Sequence, residues 1–416
     1  MSILLPAAPR TSTRMTLMLA LGFTSGLPLA LTGGTLQAWL TTAGVDLTTI
    51  GVFTLVGLPY TLKFLWAPLM DRYVPPWLGR RRGWMLTTQI LLGICILALA
   101  TVDPVEAPVT LAVLALLVAF ASASQDVTVD AYRAEVLAPT ERGLGAAVSV
   151  VGYRIAMLLT GAGALVAAQF LGFPTVYVLA AGLLIVGLGA TAFGPEPVAI
   201  DAEHGIPPRS LRAAVEEPLR EFFARPGAQA LLGLIVLYKL GDAFAGSLTT
   251  AFLIRGVGFG VGEVGAINKG LGLISLLLGG LVGGAWLARL GLYRALLLFG
   301  VLQGVSTLTF SALAWTGKSY VLMVTAVGFE NLAGGMGTAA FVALLIGLCD
   351  PRYTATQFAL LSALAALGRV YVGPAAGFVV DAVGWGNFFV ITSITALPGL
   401  ILLVKLRKRL EPLPEK

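Results

Sequence analysis

The sequence predicts an all-α integral membrane protein: twelve transmembrane helices in two six-helix bundles, with both termini in the cytoplasm. Three observations carry that expectation: a deficit of charge, apolar runs of span length, and an internal repeat. Of 416 residues, 57% are hydrophobic and 12% charged, where an average soluble protein is roughly half apolar and about a quarter charged. Mean hydropathy is +0.90. The apolar residues gather into runs, as at 109–122 and 271–287, instead of recurring as single core positions. A span needs about 20 apolar residues to cross a hydrocarbon layer of roughly 30 Å, so the chain has room for about twelve with short loops. An ordinary soluble enzyme is excluded.

Taken in order, residues 1–14 read as a cytoplasmic tail, with Pro6 and Pro9 and no signal-peptidase pattern. Apolar runs between polar or Pro/Gly breaks place spans near 15–41, 48–70, 83–101, 109–137, 142–169 and 174–193, a first bundle over 15–193. The longest polar break, 194–228, holds Pro195, Pro197, Pro207 and Pro208. Within it, residues 211–223 alternate apolar and charged positions at helical spacing, as an interfacial helix on the cytoplasmic leaflet does. Spans near 229–255, 261–288, 293–315, 319–348, 354–380 and 386–405 make the second bundle over 229–405, and 406–416 is a cytoplasmic tail. Orientation follows from the short loops. Arg10, Arg14, Arg72, Arg80 to Arg82, Arg142, Arg209 to Arg225, Arg289, Arg294, Arg352 and Lys405 to Arg409 share one side; alternate loops carry little beyond Arg255 and Lys318.

The two bundles are related by one fixed shift. Moving 212 residues forward carries Gly44-Val45 onto Gly256-Val257, Leu78-Gly79 onto Leu290-Gly291, Arg82 onto Arg294, Pro139 onto Pro351 and Gly172 onto Gly384. The shift spans an even number of helices, so the repeats share one orientation about an axis along the membrane normal.

Net charge is +6, but the basic residues are dispersed over loops, so no nucleic acid partner is expected. Cys95 and Cys349 each lie in an apolar segment as small hydrophobes. The single histidine, His204, has no ligand-spaced companion, so no metal site is expected.

After the second span come Asp71-Arg72, then Gly79-Arg80-Arg81-Arg82. This resembles the cytoplasmic motif of the major facilitator superfamily, which the resemblance implies is a latch that breaks and remakes its charge pairing as the bundles rock. The second-half copy keeps Arg289, Gly291 and Arg294 but has Gly283 in place of the aspartate. Longer stretches are more specific: 26–39 (GLPLALTGGTLQAW), 46–51 (DLTTIG), 63–72 (KFLWAPLMDR), 123–126 (ASQD), 236–245 (VLYKLGDAFA) and 355–363 (ATQFALLSA). From about residue 16 to residue 405 the chain resembles the bacterial muropeptide permease family, AmpG. That resemblance implies proton-motive-force-dependent import of anhydromuropeptides, the N-acetylglucosaminyl-anhydro-N-acetylmuramyl peptides of cell-wall turnover, across the inner membrane. In many Gram-negative bacteria the imported products also feed induction of a β-lactamase. Some members carry further spans after the twelfth, absent from this sequence.

Ionisable residues within spans cost a few kcal/mol or more unless paired or hydrated, which marks them as functional. Lys63, Asp126, Arg154, Lys239, Asp242, Glu330 and Arg369 fall near the predicted midplane, from both halves. Ser122, Asp126, Asp130 and Arg133 occupy one face of the fourth helix. Asp126, Asp130 and Glu330 are the candidates for the coupling proton; the alternative for the aspartates is a permanent Asp–Arg pair that fixes packing. One proton driven by about 100 mV supplies roughly 2.3 kcal/mol, enough for about fifty-fold accumulation of a neutral solute. Lys63, Lys239 and Asp242 are candidates for binding the substrate, though Lys239 and Asp242 stand three apart and can pair with each other. Arg154 and Arg369, in corresponding helices, match the carboxylates of a peptide stem, or else pair structurally with Asp126 or Glu330. Lys269, nearer the periplasm, either draws an anionic ligand inward or snorkels. Gln37, Gln125, Gln357, Asn331, Tyr153, Tyr238 and Tyr371 are of the type that sugar sites use, and as single residues equally pack helices.

The expectation is thus a permease, not an enzyme, working by alternating access. Its partners are a small-molecule glycopeptide and the lipid bilayer; it acts as a monomer and needs no cofactor beyond protons as coupling ion. The rival is an AmpG-like permease for a siderophore or acyl-CoA compound.

Overall fold

The structure, a computed structural model, describes residues 11–138, 141–197, 220–221, 223–224, 227–349 and 354–410, the side chains of 71, 142, 143, 354–356, 359, 367–369 and 409 excepted. Among the described residues there is no strand. Backbone polar groups in a hydrocarbon layer must be paired within their own segment, and a helix does this. Among the described residues, eleven helices are long and apolar enough to cross a membrane. They are α1 Thr11–Thr42, α2 Leu47–Leu65, α3 Arg80–Leu99, α4 Pro108–Val136, α5 Leu144–Leu171, α6 Phe173–Phe193, α7 Ala228–Gly256, α8 Val261–Leu290, α9 Leu292–Thr316, α10 Tyr320–Gly347 and α11 Leu360–Lys405.

The predicted eleventh and twelfth spans therefore form one run. Helix Thr354–Ile394 runs from the eleventh into the twelfth, which Leu397–Lys405 completes, but Gly384 inside it is not helical, with φ 77° and ψ 167°. Gly172, its counterpart at the 212-residue shift, separates α5 from α6 with φ 78° and ψ 156°. Gly79 and Gly291 pair in the same way, with φ 83° and 74°, whereas Gly44 has φ 88° and its counterpart Gly256 lies in the π turn Phe252–Gly256 without a positive φ. At the first two pairs the repeat thus extends from residue type to left-handed backbone, which a residue with a Cβ adopts only at a cost. Most of the interfacial helix expected at 211–223, His204, Arg352 and most of the N-terminal tail lie outside the described residues.

Two compact units result, one of Met1–Leu36 with Leu62–Gly205, the other of Gln37–Thr61 with Ile206–Lys416. In the first, α1 and α5 approach backbone to backbone. A Cβ on Gly22 would overlap the Ser149 carbonyl, and one on Gly152 the Leu19 carbonyl. Its buried core gathers Leu17, Met18, Leu21, Met85, Val129 and Tyr132. In the second, Tyr238 stacks on Phe341 with centroids 5.6 Å apart amid Leu234, Ile235, Phe299 and Leu344. There the segment 37–61 is held by Thr54 Oγ1 donating to the Val370 carbonyl at 2.9 Å and Arg255 Nη2 donating to the Thr41 carbonyl at 2.7 Å.

Several spans are interrupted, and the interruptions position the charged residues. α2 passes through 3₁₀ turns at Phe53–Gly57 and Lys63–Leu65, in a stretch holding Gly57, Pro59 and Pro68, residues that weaken or break a helical ladder. α7 breaks at Lys239, where φ −98° and ψ 0° separate Ala228–Tyr238 from Leu240–Gly246. α5 and α8 contain π turns at Leu159–Gly163 and Gly265–Leu271, a distortion concentrated at functional sites.

Candidate functional site

Each unit holds its own polar cluster. In the first, Gly22 and Ser25 of α1, Asp126, Val129, Asp130 and Arg133 of α4, and Ser149, Val150 and Tyr153 of α5 line a cavity of about 150 Å³. The polar stripe read along the fourth helix thus faces a cavity. Arg133 Nη2 donates to Asp130 at 2.9 Å, and the Asp130 side chain is 56% exposed, so this pair sits at the open end. The cation acting on Asp126 is Lys63, presented by the second 3₁₀ turn of α2. That turn is tied to α4 by Trp66, whose Nε1 donates to Ser124 Oγ at 2.9 Å and whose ring lies 4.8 Å from that of Phe120.

Arg154 points elsewhere. Its Nη1 meets Met157 Sδ at 3.7 Å and its buried Nε has no acceptor; among the described residues it makes no ion pair. Gln125 is fully buried with neither amide atom bonded. An unpaired guanidinium and an unsatisfied amide are costly in an apolar setting and mark places where a polar ligand compensates them.

In the second unit, the break in α7 turns Lys239 toward Asp242 at 3.3 Å and Thr338 of α10 at 3.2 Å. The Glu330 carboxyl neighbours Asp242 and accepts from Asn331 Nδ2 at 2.8 Å. Lys269, carried by the π turn of α8, donates to Thr250 Oγ1 of α7 at 3.0 Å and acts on Glu330. Five of the residues expected from sequence, Lys239, Asp242, Lys269, Glu330 and Asn331, therefore meet in one place. Gln303 of α9, not singled out in the sequence, joins them beside Asp242. A lone glutamine in an apolar helix carries no signal of its own.

Other expected site residues stand apart from these clusters. Tyr238 is 5% exposed and its hydroxyl donates to the Leu296 carbonyl at 2.9 Å, the environment of a packing residue. Gln37 Nε2 donates to the Ser247 carbonyl. Gln357 donates to Glu221 at 2.6 Å. Tyr371 is 58% exposed, and the Arg369 side chain lies outside the described residues.

The basic loop is built in the first unit. Gly79 makes the left-handed turn ahead of α3. Arg81 grips Glu135 at the end of α4 through Nη2 at 2.5 Å and Nε at 3.0 Å, with Arg80 at 3.7 Å from the same carboxylate. Glu196, beyond α6, accepts from the backbone N–H groups of Arg81 and Arg82 at 2.8 and 3.0 Å. A carboxylate there satisfies donors that a helix start leaves open and meets the positive end of the helix dipole. Arg82 donates to the Thr191 and Ala192 carbonyls at 2.8 and 2.6 Å. The sequence reading offered Asp71 as the acidic partner; its side chain lies outside the described residues, and among them the partners are Glu135 and Glu196. Beside the loop, Arg14 and Thr11 hold Glu141 at 2.7 and 2.6 Å. These bonds, Thr11 foremost, keep the Glu141 carboxyl below the usual range.

Among the described residues no group of three His, Cys, Asp or Glu side chains is placed to hold a metal. Chemically, the two clusters offer carboxylates, half-buried except for the exposed Asp130, together with lysines and unsatisfied polar atoms.

Comparison with known proteins shows the family. The Major Facilitator Superfamily pattern matches residues 18–372. The anhydromuropeptide permease of Escherichia coli K12 is 56% identical over 400 residues, covering 96% of this chain and 80% of that protein. An uncharacterised protein of Haemophilus influenzae Rd is 40% identical over 392 residues, covering 92% of each. In fold, the crystal structure of the nucleoside transporter NupG matches with a TM-score of 0.72 at 15% identity, covering 96% of this chain and all of that one. The chain belongs to the major facilitator superfamily and, within it, to the family of the Escherichia coli anhydromuropeptide permease.

Proposed function

We propose that this protein is a multi-pass permease of the bacterial inner membrane that imports anhydromuropeptides together with protons, for cell-wall recycling. The observation that carries the reading is the 56% identity to the Escherichia coli permease across 96% of this chain. The clusters give it a mechanism. Asp126 and Asp130, with Lys63 near Asp126, and Glu330 carry the coupling proton. Arg154 and Arg369, with Lys239, Asp242 and Lys269, receive the charged peptide stem, while Gln37, Gln125, Asn331, Gln357, Tyr153, Tyr238 and Tyr371 serve the sugars. The loop with Asp71, Arg72, Gly79 and Arg80 to Arg82 is the cytoplasmic gate. Reading Gly384 as the counterpart of Gly172 divides α11 into two spans and gives twelve, with both termini on the side of the basic loops, in the cytoplasm. The bundles are 15–193 and 229–405, joined by the cytoplasmic linker 194–228, and they act as a monomer by alternating access.

The test is uptake of radiolabelled N-acetylglucosaminyl-anhydro-N-acetylmuramyl tripeptide by right-side-out vesicles, with and without a protonophore. Accumulation that the protonophore abolishes is expected. Exclusion of the tripeptide alongside uptake of an iron chelate or an acyl-CoA thioester contradicts the reading.

A further inference from the structure

Four charges of the second unit form a small electrostatic system: Lys239 and Asp242 on α7, Lys269 on α8 and Glu330 on α10. Among the described residues, the charged groups acting on Glu330 are the other three. Asn331 and Thr338 from α10, Thr250 from α7 and Gln303 from α9 supply the neutral polar contacts. Asp242 Oδ1 lies against Gly334, one helical turn along α10 from Glu330, and two carboxylates held that close in an apolar span repel, which a shared proton relieves.

A second feature points the same way. Gln303 is 7% exposed, and its Nε2 has no acceptor among the described residues. It lines, with Asp242, Thr307 and Thr392, a cavity of about 10 Å³, the room one water requires. Asp242 Oδ1 and Gln303 Nε2 converge on Gly334, at 3.9 and 4.0 Å from the place its Cβ would take. A buried amide donor therefore reaches toward the same small space as the carboxylate.

Charge arithmetic decides what the set can do. With one proton shared, the dyad carries one negative charge against two lysines, leaving one net positive charge. With the proton gone, two negative charges balance two positive ones. A net charge in an apolar span is costly, so the protonated set favours binding an anion and the deprotonated set favours standing empty. We propose that Asp242 and Glu330 form a proton-sharing dyad whose protonation, with Lys239 and Lys269 beside it, creates a binding site for a carboxylate of the transported solute.

Proton and anion then enter together. The proton bridges a carboxyl oxygen of Asp242 and one of Glu330, and a lysine released from the dyad takes the solute carboxylate. When the carboxylate leaves, both lysines return to the dyad and the proton passes to water in the cavity beside Gln303. The two neutral states, empty without the proton and loaded with it, are those in which the site closes to water at least cost. Proton and ligand affinities are coupled reciprocally, as linkage requires. The proposal rests on the reading of this chain as an importer of an anionic glycopeptide.

The test is binding to the purified full-length protein in weakly buffered detergent with a pH indicator. Two probes are compared: the anhydromuramyl tripeptide above, and N-acetylglucosaminyl-anhydro-N-acetylmuramic acid with its carboxyl converted to the amide, which keeps the sugars and carries no carboxylate. Wild type is expected to take up protons on binding the tripeptide and none on binding the amide. Its tripeptide affinity rises by about tenfold per unit fall in pH across the dyad's titration, the slope of one linked proton. Glu330→Gln and Asp242→Asn each leave one fixed negative charge, and both bind the tripeptide at every pH with the acid-limit affinity of wild type. Proton uptake absent with the tripeptide, or equal with both probes, or a wild-type pH slope retained in both variants, overturns the proposal. A wild type that binds neither probe overturns the importer reading beneath it.

Discussion

Arg81 donates to both carboxylate oxygens of Glu135, through Nη2 at 2.5 Å and Nε at 3.0 Å, with 8% of its side chain exposed. The pair joins the first turn of α3 to the last turn of α4. Charge-assisted bonds with little solvent access contribute more than surface pairs, about 1.5–3 kcal/mol. Arg81→Ala and Glu135→Gln are each expected to lower stability by about 2 kcal/mol. The double variant should lose clearly less than the sum, because either change breaks the same contact. Thermal unfolding in detergent by intrinsic fluorescence checks both; additive losses would show that the two residues act separately.

Gly152 and Gly22 let α1 and α5 touch through their backbones, and the cavity around Asp126 lies between those helices and α4. Any side chain at either position must push the helices apart. Gly152→Val is expected to cost about 1–3 kcal/mol, the usual range for overpacking, and to widen the cavity. The expected readout is a lowered unfolding temperature together with faster labelling of a cysteine placed at Ser149. A Gly182→Val control, at a glycine with nothing within 4 Å, should change neither.

Asp46 caps helix Leu47–Val52, accepting from the Thr49 backbone N–H at 2.8 Å. Hydrogen bonding from Thr49 holds its carboxyl below the ordinary value of 3.8. A depressed folded pKa contributes stability that is present above 3.8 and disappears as pH falls through the folded value. Asp46→Ala is expected to cost about 1 kcal/mol at neutral pH, and the difference from wild type should shrink below pH 3.8. Unfolding temperatures of the two proteins over a pH series check the sign; a gap that grows on acidification contradicts it.

Most of the fold was legible because a membrane imposes its own periodicity: long apolar runs must be helices, and left-handed turns at Gly79, Gly172, Gly291 and Gly384 were marked by one repeat register. The join at Gly384 was less legible, since a single glycine interrupts an otherwise helical backbone there. Intramembrane charges were visible as exceptions in apolar text, so Lys239, Asp242, Lys269, Glu330 and Asn331 were named before they were seen to meet. Their partners were harder to find. Glu135 and Glu196 lie 54 and 115 positions from Arg81, and acidic residues at helix ends look like any solvated charge. The breaks at Lys63 and Lys239 were not marked as breaks, because tertiary packing decides where a helix yields. Tyr238 and Gln357 show how little residue type says of position: both are buried, Tyr238 bonded to the Leu296 carbonyl and Gln357 to Glu221, partners 58 and 136 positions away.

The most direct test of the account is the Asp126→Asn variant in vesicles, followed in two modes. In one, a proton gradient drives accumulation of the anhydromuramyl tripeptide; in the other, unlabelled tripeptide inside exchanges for labelled tripeptide outside with no gradient. The account predicts that the variant exchanges at a rate comparable to wild type and loses most of its gradient-driven accumulation, because the site still binds, alternates and loads the Asp242–Glu330 dyad, but the proton of Asp126 is no longer carried. Accumulation at the wild-type level in Asp126→Asn would contradict it.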